Sequence, residues 1–99
     1  MILVDPAIWP HRGRQWAHLV SDVSYDELHD FAERLGIPRR AFQGDHYDIP
    51  TELRDQAVGI GAVEVTSREL LQRLVAAGLR HRKGAELPDD VRVVGDDCP

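Results

Sequence analysis

One segment leaves this chain little choice of local structure. Ser24-Tyr25-Asp26-Glu27 is a capping box, in which the Ser24 hydroxyl can accept from the Glu27 amide while Glu27 reaches back. Leu28, Phe31, Ala32 and Leu35 follow at i, i+3, i+4 and i+7 and make one apolar stripe. Gly36 supplies a left-handed stop and Pro38 blocks continuation. The spacing predicts a helix over 24–35. Its stripe needs a second layer to cover it, so the rest of the chain must supply one.

The other segments are short and alternate in type. Ile2-Leu3-Val4 is an apolar run closed by Asp5-Pro6 and reads as a buried strand. Residues 6–15, with Pro6, Pro10 and Gly13, read as a loop. Ala17-His18-Leu19-Val20 reads as a second strand ending at Ser21-Asp22. Residues 38–42 read as a single helical turn, and His46-Tyr47-Asp48-Ile49 as extended, because Pro50 disfavours helix before it. A second helix is expected over 51–59 and a firm strand at Ala62-Val63-Glu64-Val65. Thr66-Ser67-Arg68-Glu69 repeats the capping signature ahead of Leu70, Leu71, Leu74 and Val75, with a stop at Gly78. Val91-Arg92-Val93-Val94 reads as a last edge strand.

Strands alternating with helices predict an α/β fold: a small single domain with a mixed, mostly parallel sheet of three to five short strands and about three helices. At 99 residues there is room for one such domain, assigned to 1–85, followed by an acidic C-terminal tail over 86–99. The single cysteine, Cys98, excludes an internal disulfide and every multi-cysteine zinc pattern. No apolar run reaches the length of a membrane span, and the N-terminus lacks the basic region of a signal peptide. A cytoplasmic protein with no membrane partner is the expectation.

The net charge of −5 argues against nucleic acid as a general partner. That charge is unevenly placed. Residues 86–99 carry five acidic side chains and one arginine, a formal −4, so residues 1–85 hold only −1 with ten of the eleven arginines. An anionic ligand for the domain is therefore less disfavoured than the whole-chain figure suggests.

Three features can carry chemistry. On a strand, His18 and Asp22 share a face, and such a pair suits two metal ligands or a base with its orienting carboxylate. The plainer reading is a core histidine and a strand-ending aspartate. His46 and Asp48 likewise share a face, with Tyr47 on the other, just ahead of a helix that Asp48 could instead cap. If the two clusters meet, His18 and His46 with Asp5, Asp22 and Asp48 make a ligand set for one divalent metal such as zinc, manganese or iron. His18, His46 and Tyr47 are then the catalytic candidates, with Arg39, Arg40 and Gln43 as anion-binding groups. The third feature is Trp9-Pro10-His11-Arg12-Gly13-Arg14-Gln15-Trp16, where Trp9, Arg12, Arg14 and Trp16 offer a partner surface, or simply a loop packed by its tryptophans. His29, within reach of Glu33, reads as a helix-surface histidine.

Val4-Asp5, Trp16-x-His18-Leu19-x-Ser21-Asp22, Glu27-Leu28-His29-x-Phe31-Ala32, Leu35-Gly36, Phe42-Gln43 and His46-Tyr47-Asp48, in this order and spacing, resemble the bacterial and phage family called domain of unknown function 4031. The resemblance covers about residues 1–80. It implies a compact soluble domain and no particular activity. Its polar motif positions fall on Asp5, His18, Asp22, His46, Tyr47 and Asp48. Many members carry a second acidic residue after the first aspartate. Here that residue is Pro6, which argues against a two-carboxylate role at this end.

Taken together, the residues lead to metal-assisted hydrolysis of a phosphate ester or nucleotide as the expected function, with a small anionic or phosphorylated ligand. The alternative is a non-catalytic module that binds a ligand or a protein. Substrate, strand order and oligomeric state, homo-oligomer included, are not legible.

Overall fold

The computed structural model describes residues 1–80. The tail, and the edge strand expected at 91–94, lie outside the described residues. The elements run β1 (Ile2–Val4), β2 (Trp9–His11), β3 (Arg14–Ser21), α1 (Tyr25–Arg34), a 3-10 turn (Arg39–Ala41), β4 (Tyr47–Pro50), α2 (Thr51–Gly59), β5 (Val63–Glu64) and α3 (Ser67–Ala76). Half of each capping signature acts as read: Ser24 accepts from the Glu27 amide and Thr66 from the Glu69 amide, whereas the Glu27 carboxylate turns to Ser21 and the N-terminal amino group and that of Glu69 to Arg73. Gly36 and Gly78 stop their helices at φ 81° and 75°.

This is a small α/β domain, but the expectation of a mostly parallel sheet fails. The sheet is mixed: β3 pairs antiparallel with β1, β2 and β4, and only β1–β5 is parallel. Two local causes account for this. The segment read as a loop contains a hairpin, since Arg12 and Gly13 take φ 54° and 76° and form a two-residue turn that pairs His11 with Arg14. The connection from α1 to β4 also returns to the start of α1 before β4 begins, as the Phe42 ring packs edge-on against Tyr25. β4 therefore enters beside β3 from the end where β3 stops. The strand expected over 62–65 shortens to the exposed pair Val63–Glu64, on the side of β1 away from β3.

β3 organises the molecule because its alternate residues face two different layers. Ala17 and Leu19 join Ile2, Val4, Tyr47 and Ile49 against Leu28, Phe31, Ala32 and Ala57 of α1 and α2. Trp16, His18 and Val20 face the other way. Strand register sorts that second face into three cross-strand rows. Trp16 lies between Trp9 and Pro50, His18 lies opposite Asp48, and Val20 lies opposite Leu3. Only the last row is covered by α3, through Leu70 and Leu74. The first two rows stay open.

Candidate functional site

The middle row carries the polar groups. Asp5, just past β1, is fully buried and holds four donors. Its Oδ1 accepts from the His18 amide at 2.6 Å. Its Oδ2 accepts from His18 Nδ1 and Ser67 Oγ, each at 2.8 Å, and from Trp9 Nε1 at 3.4 Å. Burial pushes the Asp5 carboxyl up, but the bonds from the His18 ring and amide and the Ser67 hydroxyl outweigh it, and the net shift is downward. Asp5 is thus an anion locked beneath the His18 ring.

His46 repeats the arrangement one strand away. Its Nδ1 lies 2.7 Å from Oδ1 of Asp45, which is also buried. A carboxylate only accepts, so each histidine carries its hydrogen on Nδ1, and in a neutral ring this leaves the Nε2 lone pair free. Both Nε2 atoms converge on Oδ1 of the half-exposed Asp48, at 3.2 Å from His46 and 3.9 Å from His18. Burial works against a charged His46 ring, but hydrogen bonds to Asp45 and Asp48 win, and its pKa is raised to about 9. In this state the His46 imidazolium lies between two carboxylates.

His18, His46 and Asp48 each offer one ligand atom, and these atoms lie within 4.8 Å of one another. Ligands of a tetrahedral ion with bonds of about 2.0–2.1 Å sit about 3.3 Å apart, so shifts of about an ångström would close the set around an ion. Two imidazoles and one carboxylate, with positions left open, suit zinc, manganese or iron. The carboxylates behind each ring are the orienting partners such ligands use.

Cavities flank this row. One, of about 290 Å³, has walls of Val20, Leu70, Leu71 and Leu74, with Arg68 and Arg80 among its lining residues. Arg80 is 3.4 Å from Asp45, whereas Arg68 is exposed and makes no bond among the described residues. The other, a groove of about 530 Å³, is lined by Trp9, Pro10, Trp16, Gln43 and Asp48. His18 and Trp9 border both.

The structure therefore brings together His18, His46 and Asp48, with Asp5 behind them, hydrogen-bonded to the His18 amide and ring. Other candidates fall elsewhere. Asp22 shares the face but sits beyond the aliphatic row, 3.0 Å from the N-terminal amino group and 3.6 Å from Arg73. Tyr47 lies on the opposite face because strand residues alternate, and its hydroxyl meets His29 Nδ1 at 2.8 Å. His29 is consequently not a surface histidine paired with Glu33. Burial, then the nearby Arg39 charge, lower its pKa. Arg39 lines a pocket with His29 and Tyr47, Arg40 is exposed, and only Gln43 of the three anion candidates reaches the groove. On the expected partner surface, Trp9 and Trp16 are walls of the site, Arg14 is engaged by Glu52 and stacks over Trp16, and Arg12 sits in the hairpin turn.

Asp45, Ser67, Arg68 and Arg80 were not among the sequence candidates. One signal was present for the hairpin: Trp9-x-His11 and Arg14-x-Trp16 are symmetric about Arg12-Gly13, which pairs the tryptophans. Among the described residues no helix is long and apolar enough to cross a membrane. Comparison with curated proteins and with solved structures gave no match. A family model described as "Protein of unknown function (DUF4031)" matches residues 2–77, and with three quarters of its length so covered the chain belongs to that family.

Proposed function

We propose that this protein binds one divalent metal through His18, His46 and Asp48 and uses it to hydrolyse a phosphate ester. The observation that carries the reading is the convergence of two carboxylate-backed imidazoles on one half-exposed carboxylate. An ion held there would acidify a water and polarise a phosphoryl oxygen. In such a hydrolysis the water oxygen would bond to phosphorus as the ester P–O bond breaks, and the proton lost by the water would end on the leaving alcohol. Asp5 and Asp45 keep the rings from turning, and Arg68 supplies a guanidinium, without a partner among the described residues, for the phosphate oxygens. A cytoplasmic setting fits a site that needs no disulfide.

The test is inorganic phosphate release from a panel of phosphate monoesters by the full chain loaded with zinc, manganese or iron. Release that falls more than about a hundredfold in His18→Ala and His46→Ala is expected. No release with any of these ions, or release indifferent to both variants, overturns the reading. The second reading, a module that binds the same ligand without turning it over, is favoured by the aromatic groove beside the cluster. Metal-dependent ligand binding with no phosphate release would select it.

A further inference from the structure

The three cross-strand rows differ in chemistry, and their order specifies a ligand. The histidine row is flanked on one side by Arg68 and Arg80 and on the other by the Trp9–Trp16 row. Trp9 and Trp16 are register partners, so their side chains stand on the same face as His18. Both indoles are fixed. Trp16 Nε1 donates to the His11 carbonyl at 3.0 Å, and Trp9 Nε1 points to Asp5 at 3.4 Å. Their groove is lined also by His11, His18 and Asp48 but by no lysine or arginine, and Arg14, which stacks over Trp16, is neutralised by Glu52. It is therefore a poor seat for phosphate and a good one for a flat neutral ring.

Gln43 opens onto the same groove, and its side-chain amide makes no hydrogen bond among the described residues. A carboxamide offers a donor and an acceptor side by side, which a heteroaromatic edge can match and a plain phenyl ring cannot. Rows two residues apart on a strand are separated by about 7 Å. A pentose bridges that span between a base and its phosphate.

We infer that the Trp9–Trp16 groove is a base-stacking subsite, and that the ligand of this site is a nucleoside monophosphate lying across the rows. Its base stacks by Trp9 and Trp16 with its edge toward Gln43, and its phosphate reaches the histidine row and Arg68. This rests on the proposed metal and phosphate site and adds the ring to it.

The two tryptophans of the chain both line the groove, so intrinsic fluorescence reports on it directly. The experiment titrates AMP, CMP, ribose 5-phosphate and inorganic phosphate into the metal-loaded full chain, read on mixing by fluorescence and by calorimetry. AMP or CMP is expected to quench and to bind at least about tenfold more tightly than ribose 5-phosphate, the scale of one stacked base. Trp16→Leu should remove that advantage and leave ribose 5-phosphate binding unchanged. Equal binding of the nucleotides and ribose 5-phosphate would overturn the base subsite while leaving the phosphate site standing. Failure of every phosphate compound to bind would overturn the phosphate reading itself, and the base subsite with it.

Discussion

The two faces of the sheet are built from alternate residues of the same strands, yet one is closed and the other is half open. On the α1–α2 face the buried groups are apolar, except that Tyr47 and Ser21 bring hydroxyls. Both are answered, by His29 and by Glu27. On the α3 face only the Leu3–Val20 row is packed over. Ahead of it the same strands present His18, Asp48 and two tryptophans to open cavities. The difference follows from α3, whose N-terminal Ser67 bonds to Asp5 and whose apolar stripe meets only the aliphatic row. Apolar packing is concentrated on the first face, and the second keeps polar and aromatic groups at open cavities.

The sharpest way to break this contrast is to cut each face. Leu19→Ala, on the closed face, should cost about 3 kcal/mol in denaturant unfolding and leave metal affinity unchanged in the folded fraction. Asp48→Ala, on the open face, should cost under about 1 kcal/mol, because its partners meet a half-exposed carboxylate, but should abolish metal binding. Equal stability losses would remove the division of labour. Next in size is Asp45→Asn. It keeps the shape behind His46 and removes the charge, and should weaken metal binding about 10- to 100-fold by calorimetry. An unchanged affinity would show Asp45 to be structural only.

The smallest effect is on titration, and here the faces differ in sign. His46 is raised to about 9 by Asp45 and Asp48 against burial. In metal-free protein its contribution is complete below its unfolded value of about 6.5 and is lost as pH rises through about 9. His29, lowered by burial and by Arg39, behaves oppositely: stability is lost as pH falls below about 6.5, because the unfolded chain takes up the proton first. Asp5, also lowered, holds its contribution until pH falls below the ordinary carboxylate range. Histidine ring resonances should therefore titrate on opposite sides of the ordinary value, His46 above and His29 below. Coincident titration would deny that the two rings sit in different environments.

Much of this fold could be read from local signals. The helices at Ser24 and Thr66 follow from side chains within one turn of their caps, and such information is local by nature. Strand direction is not local. The antiparallel entry of β4 depends on the path of residues 35–46, and the Arg12-Gly13 turn lacks the Asn-Gly or Asp-Gly pair that marks most such hairpins. The shared face of His46 and Asp48 was visible in strand alternation. Their meeting with His18 depended on the β3–β4 register, which no single segment encodes. Arg68 and Arg80 reach the site because α3 and the residues after it cross that face, and the burial of Asp45 behind His46 has no signal in the local sequence.

The central claim is that His18, His46 and Asp48 hold one divalent ion. Calorimetric titration of the purified metal-free chain with zinc and with manganese, paired with elemental analysis, tests it most directly. The account predicts one ion per chain, release of the His46 proton on binding below about pH 9, and loss of both signals in His46→Ala. Binding in that variant equal to the unmodified chain, or no stoichiometric ion with either metal, would contradict it.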